Sequence, residues 1–261
     1  MGRQTWRSSP GCTGGGQEAE ELFQLALSYE NGIRGMPRDI DKAIKFYEES
    51  MNMGNPKAAI NLGTIYRTAY ASLTYNNSRT ERFNYMNAMY EQSIKMGCPD
   101  GYYFLALSHA KGWGFRENQR ISNEYIMKGV EAGSLPAMAD YGLMLKEQGK
   151  LEEAKKWLHM AVEGGFGPAA YKLSTIYWSG KNYEQYIDLA RQGAKLGDVP
   201  CLYRLSEIYR KGAYGQIKDE EYSECFYQIY KSIDQAAPPP FIDNLDELCP
   251  PRPVIPYKYE E

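Results

Sequence analysis

The chain has 261 residues, with 30 Lys and Arg against 33 Asp and Glu, a formal net charge of −3. So even a balance removes the electrostatic case for nucleic acid or an anionic membrane as partner. The length would support one large core, but 23 tyrosines, apolar with a polar tip, also suit a chain that buries surface between neighbouring units.

The first residues, MGRQTWRSSPGCTGGG, hold no apolar run, so no signal h-region is visible. Gly11-Cys12 is a plausible lipoprotein junction, yet Ser9 and Pro10 stand where an apolar stretch belongs. Residues 1–17 are therefore expected to form a disordered leader or tag remnant. No segment of the chain reaches the roughly 18 apolar residues of a membrane span. Gly14-Gly15-Gly16 has neither a preceding strand nor a lysine, so it makes no phosphate loop.

Residues 18–235 repeat. The first unit starts near Glu18, with Leu25, Ala26 and Tyr29 on its first helix, a turn at Asn31–Gly35 and a second helix over Asp39–Met53. Thereafter glycines recur at Gly54, Gly97, Gly133, Gly165 and Gly197, each followed within three residues by Pro56, Pro99, Pro136, Pro168 or Pro200. Glycine ends one helix in the left-handed conformation, and proline is tolerated in the first turn of the next. Four residues after each glycine stand Ala58, Gly101, Ala137, Ala169 and Cys201, all small. Eight after stand Leu62, Leu105, Tyr141, Leu173 and Leu205; twelve after stand Tyr66, His109, Leu145, Tyr177 and Tyr209. These positions share one helix face.

Counting back from each glycine describes the second helices. Four before stand Ser50, Ser93, Gly129, Ala161 and Gly193, all small. Eight before stand Phe46, Met89, Tyr125, Trp157 and Leu189, all large and expected in the buried stripe. The pattern predicts six helix pairs, with extra residues in repeat two over Thr68–Thr80.

Residues 236–261 hold seven of the fourteen prolines, among them Pro238, Pro239 and Pro240, which exclude helix. Phe241, Ile242, Leu245, Leu248, Val254, Ile255 and Tyr257 are too apolar for a free linker, so the segment is expected to lie back on the last repeats as a cap. Cys12, Cys98, Cys201, Cys225 and Cys249 are odd in number and form no CxxC, so they are expected to be small packing residues without a zinc or redox role.

Ala58, Leu62, Gly63 and Tyr66, with Gly32, Asp41, Lys42, Ala43, Tyr47 and Gly54, and again Ala154, Trp157, Ala161 and Gly165, resemble the Sel-one-like repeat, a relative of the tetratricopeptide repeat. The resemblance spans roughly residues 19–235 and departs at His109, Leu145 and the long turn of repeat two. It implies an all-α, right-handed superhelical solenoid of about six helix-turn-helix repeats with a proline-rich C-terminal cap segment. The family shares no catalysis and works by binding proteins. Its disulfide-linked branch carries a cysteine pair in each repeat, a pattern absent here. Bacterial members with a proline-rich C-terminal segment, which Cys249-Pro-Pro-Arg-Pro-Val-Ile-Pro resembles, look like immunity proteins against lipase or phospholipase toxins delivered by type VI secretion. On that resemblance the partner is a cognate secreted lipase effector and the location the periplasm. The alternative is a scaffold or adaptor for signalling or envelope assembly, with a cytoplasmic location open.

No GxSxG, HExxH or P-loop pattern occurs, and no cofactor or metal is expected. His109 occupies a framework tyrosine position and His159 a variable, exposed one, so a hydrolase is disfavoured. A partner needs positions that the repeat leaves free. On the first helices these are Asn61, Asp140, Lys172, Thr175, Arg204 and Glu207, expected on the concave face along one stripe with Phe104. Trp178 and Arg210, thirteen after their glycines, are the expected anchors, since Trp and Arg dominate hot spots. Tyr70, Leu73 and Tyr75 make the repeat-two loop a second candidate.

Overall fold

The computed structural model describes residues 9–68, 78–235, 242 and 244–252. Among these the chain is all-α, with thirteen helices and no strand. They fall into two compact units, one of Ser8–Tyr141 and one built on Gly142–Glu261. The first unit holds α1 (Gly16–Asn31), α2 (Ile40–Asn52), α3 (Pro56–Arg67), α4 (Arg79–Lys95), α5 (Asp100–Lys111) and α6 (Gln119–Glu131). Helix α7 (Leu135–Glu147) runs across the division. The second unit holds α8 (Leu151–Glu163), α9 (Gly167–Ser179), α10 (Tyr183–Lys195), α11 (Val199–Lys211), α12 (Glu220–Gln235) and the short α13 (Leu245–Leu248). In the first unit α1 packs on α2, α2 on α3, α3 on α4, α4 on α5 and α5 on α6, and in the second α8 packs on α9, α9 on α10, α10 on α11 and α11 on α12.

The joins between repeats share one construction. Gly54, Gly97, Gly133, Gly165 and Gly197 all have positive φ, between 78° and 96°. The next residue then donates its N–H back to the carbonyl four before the glycine: Asn55 to Ser50, Cys98 to Ser93, Ser134 to Gly129, Phe166 to Ala161 and Asp198 to Gly193. This is the six-to-one bond of a Schellman cap. It folds the next helix back onto the small position it has just bonded. A Cβ added at Gly193 would collide with Cys201, and one at Gly129 with Ala137. The small residues four before and four after each glycine are thus two sides of one contact. Within a pair, Gly63 lies against the Tyr90 ring and Gly142 against Leu158 in the same way.

The second helices differ from expectation by one position. Phe46, Met89, Tyr125 and Trp157 are half-buried, and of that set only Leu189 is buried. The buried stripe instead runs through Tyr47, Tyr90, Ile126, Leu158 and Ala190, seven before each glycine. Positions four, seven and eleven before the glycine lie on one helical face, and position eight is at its flank.

The cysteines overturn the packing-residue reading. Cys12 bonds to Cys98 across 86 residues of sequence, and Cys225 to Cys249 across 24; only Cys201 remains a free, buried thiol. The disordered leader likewise does not extend over residues 9–17, since Ser9 and Cys12 are buried and α1 begins at Gly16. Ser9 donates its N–H to Asp100 at 2.9 Å and its hydroxyl to the same carboxylate, while Ser134 Oγ donates to it at 2.9 Å. Ser9 Oγ in turn accepts the Leu135 N–H at 2.8 Å. One buried carboxylate therefore ties the N-terminal segment to the starts of α5 and α7.

Burial pushes the Asp100 carboxyl above the ordinary aspartate range, against the pull of its bonds from Ser9 and Ser134. A raised aspartate keeps its proton longer folded than unfolded. Its contribution to stability is therefore present in acid and is lost as pH rises from the unfolded pKa through the folded one. Carbon-detected NMR titration is expected to put the Asp100 midpoint above about 3.9. A midpoint below that would mean the three hydrogen bonds outweigh desolvation.

At the far end, Ile242, Leu245 and Cys249 are buried in a core shared with Tyr222, Phe226, Ala194 and Leu202. Arg191 on α10 holds the segment by charge. Its Nε and Nη2 donate to Asp246 Oδ1 at 3.1 and 2.9 Å, Nη2 donates to the Cys249 carbonyl at 2.7 Å, and Nη1 donates to the Tyr222 hydroxyl. Lys195 pairs with the other Asp246 oxygen. Arg252 pairs with Asp219 at 3.0 Å and covers the Tyr222 ring. Ile242 and residues 244–252 thus close the apolar end that α12 would otherwise expose. Pro238, Pro239, Pro240, Phe241, Val254, Ile255 and Tyr257 lie outside the described residues.

Candidate functional site

The expected binding positions divide by unit and by what they touch. In the first unit, Asn61 donates to the Tyr47 hydroxyl at 3.0 Å, which donates to Glu30 at 2.8 Å. Asn61 therefore serves an internal chain between α1, α2 and α3. Asp140 is half-buried, and its charge adds to burial in raising the Tyr103 phenol. Phe104, expected on the open stripe, is buried against the Tyr90 ring at 4.9 Å. Tyr70, Leu73 and Tyr75 lie outside the described residues.

The second unit gathers the remaining positions. Trp178 at the end of α9 is 48% exposed, and its indole N–H donates to the Tyr214 hydroxyl at 3.1 Å. Tyr214 belongs to the turn between α11 and α12, with rings of Tyr183 at 4.9 Å and Tyr186 at 5.4 Å around it. Arg204 on α11 donates from Nη2 to the Tyr171 hydroxyl at 3.2 Å. Thr175 is spent within its own helix, donating to the Lys172 carbonyl at 2.7 Å. Lys172 is half-buried beside Asp198, whose own carboxyl is raised by burial. Arg210 grips Glu207 through two bonds of 2.7 and 2.8 Å, and Lys211 joins at 2.7 Å. These cations hold the Glu207 carboxyl down to about 2. Arg210 and Glu207 thus form an ion pair on one helix face.

Three tyrosines central to this cluster, Tyr171, Tyr186 and Tyr214, were not among the expected site residues. Two of them carry a signal in the repeat register. Tyr186 stands eleven before its glycine, where the other copies have Ala43, Met86, Ser122 and Ala154. Tyr214 takes a φ of 57° at the turn position where other copies have Arg34, with a φ of 55°, and Gly114. A non-glycine residue in the left-handed region costs about 1 kcal/mol or more, and this turn imposes that cost in two copies.

Both histidines pack against aromatic rings. His109 stacks between Phe115 at 4.1 Å and Tyr125 at 5.3 Å, its buried Nδ1 has no hydrogen-bond partner, and burial lowers its pKa. His159, expected exposed, is half-buried with Nε2 at 3.4 Å from the Tyr177 hydroxyl. Cys12, Cys98 and Asp100 bring two sulfurs and a carboxylate together, but sulfurs bonded to each other offer no thiolate. No helix among the described residues is long and apolar enough to cross a membrane.

The Sel1 repeat family model matches residues 22–55, 99–134, 135–166 and 199–227. Solved structures with the same fold include immunity protein Pa5087 from Pseudomonas aeruginosa, 19% identical over 93% of this chain and 94% of that one, with a TM-score of 0.74. Immunity protein PA5088 from the same organism is also 19% identical over 93% and 94% of the two chains, with a TM-score of 0.71. A Sel1 repeat protein from Oxalobacter formigenes is 20% identical over 82% of this chain and 87% of that one, with a TM-score of 0.58.

Proposed function

Because this chain belongs to the Sel1 repeat family, whose repeats mediate protein binding, we propose that it is an immunity protein that binds and neutralises a secreted bacterial lipase or phospholipase toxin. The observation that carries the binding part is the cluster around Trp178, Tyr214 and Arg204. A half-exposed tryptophan, a tyrosine and an arginine meet there, and Trp, Tyr and Arg are the side chains that dominate protein interfaces. The toxin-neutralising part is supported by two solved immunity proteins whose fold runs the length of both chains. In this reading the protein acts by occupying a surface of the toxin and needs no catalytic group. A toxin delivered to the envelope would be met in the periplasm. Two disulfides support an oxidising compartment.

Co-expression with the product of the adjacent reading frame tests the proposal. The expected result is a co-purifying complex and relief of that product's toxicity. An adjacent product that neither binds nor harms cells would remove the immunity reading, and capture of a short linear peptide instead would favour an adaptor. Within the complex, Trp178→Ala is expected to weaken binding by about 2 kcal/mol, roughly 30-fold in Kd. Met160→Ala, exposed on a second helix, should leave Kd unchanged. Equal affinities for the two variants would move the interface elsewhere.

A further inference from the structure

The partner's chemistry at this cluster follows from two unspent groups. Tyr186 is only 2% exposed, and its hydroxyl oxygen has no hydrogen-bond partner. Arg204 lies beside it, but a guanidinium has no lone pair to accept the phenolic hydrogen. A buried donor without an acceptor is costly, so an acceptor brought by a partner would relieve that cost. Burial pushes this phenol up to about 12, so it stays protonated and remains a donor at neutral pH.

Arg204 is the second group. Its Nη2 donates to the neutral Tyr171 hydroxyl, and among the described residues no carboxylate pairs with it. The nearest acid along its helix, Glu207, is committed to Arg210 and Lys211. The hydroxyls of Tyr171, Tyr186 and Tyr214 are all close enough to act electrostatically on this single positive charge. Tyr171 and Tyr214 each accept a bond, from Arg204 and Trp178, which leaves their own hydrogens to donate.

We propose that Arg204, with the hydroxyls of Tyr171, Tyr186 and Tyr214, receives one acidic side chain of the bound protein. This rests on the protein-binding reading above and names the group recognised. A carboxylate has lone pairs enough for the guanidinium fork and the phenols together, whereas an amide offers one acceptor oxygen and would set its NH2 against donors. The exposed indole of Trp178 then borders the seat of that carboxylate.

The test uses the full chain, labelled with nitrogen-15, and follows the Arg204 Nε–H signal. The probes are N-acetyl-glutamate amide, its glutamine counterpart and inorganic phosphate. The expected result is a saturable shift with the glutamyl compound, at least tenfold weaker binding of the glutamine one, and, followed at the Trp178 indole N–H, no saturable binding to Arg204→Ala. Tyr186→Phe should lower the affinity for the glutamyl compound about tenfold without lowering Tm, because it removes a hydroxyl that makes no bond in the free protein. Equal responses to glutamyl and glutaminyl compounds, or no saturable shift, would overturn the proposal. Tighter binding of phosphate would assign the site to a small anion instead of a protein side chain. Glutamyl binding with no protein captured on co-expression would leave the site standing and sink the protein-binding reading. A complex undiminished by Arg204→Ala would sink the site alone.

Discussion

Replacing Cys12 and Cys98 together by alanine is expected to cost the Ser8–Tyr141 unit about 4 to 5 kcal/mol. The two cysteines are 86 residues apart, and cross-linking a loop of that length removes chain entropy from the unfolded state worth about 4.6 kcal/mol. The bond also holds Ser9 where it can reach Asp100 and the Leu135 N–H. Without it, the few residues before α1 must find those buried partners unaided. Guanidinium unfolding followed at Trp113, in the turn after α5, reads this unit. The midpoint should fall in the double variant, and a reductant should move the wild type to the same place. A loss of less than about 1 kcal/mol would mean that the Asp100 hydrogen bonds alone secure the segment.

Arg191→Ala is expected to be the most damaging single change at the other end, at about 2 to 3 kcal/mol. It strips Asp246, the Cys249 carbonyl and the Tyr222 hydroxyl of one shared donor group. Arg191 is mostly buried, whereas Asp246 is 42% exposed and keeps Lys195, so solvent and the remaining lysine soften the loss. The Cys225–Cys249 bond keeps the segment tethered after the substitution. Amide exchange at Leu248 and Cys249 should therefore accelerate modestly in Arg191→Ala. It should accelerate to the level of a free segment when Cys225→Ser is added. Exchange that stays slow in the double variant would show that Ile242 and Leu245 hold the cap by apolar burial alone.

The repeat framework was legible because its contacts are local. The glycine, the residue after it and the small positions four on either side all lie within one helix–turn–helix corner, so the spacing that builds the corner is written in a short stretch. The one-position difference on the second helices arises because spacings of seven and eight are both close to two turns, and only the neighbour's direction chooses between them. Tyr186 was legible in principle as a tyrosine in a column that otherwise holds Ala, Met and Ser. Its unspent hydroxyl was not, because that depends on which groups the next repeat brings near.

Sequence alone therefore determined the all-α repeat architecture, the number of helix pairs and the residues that join them. Each is set by short-range backbone chemistry that recurs in successive copies. Tertiary structure alone decided which cysteines pair, that residues 9–15 are anchored, and that Arg204 meets the Tyr171 hydroxyl of the preceding repeat. Those outcomes depend on distances between side chains far apart in sequence, and no spacing rule encodes them.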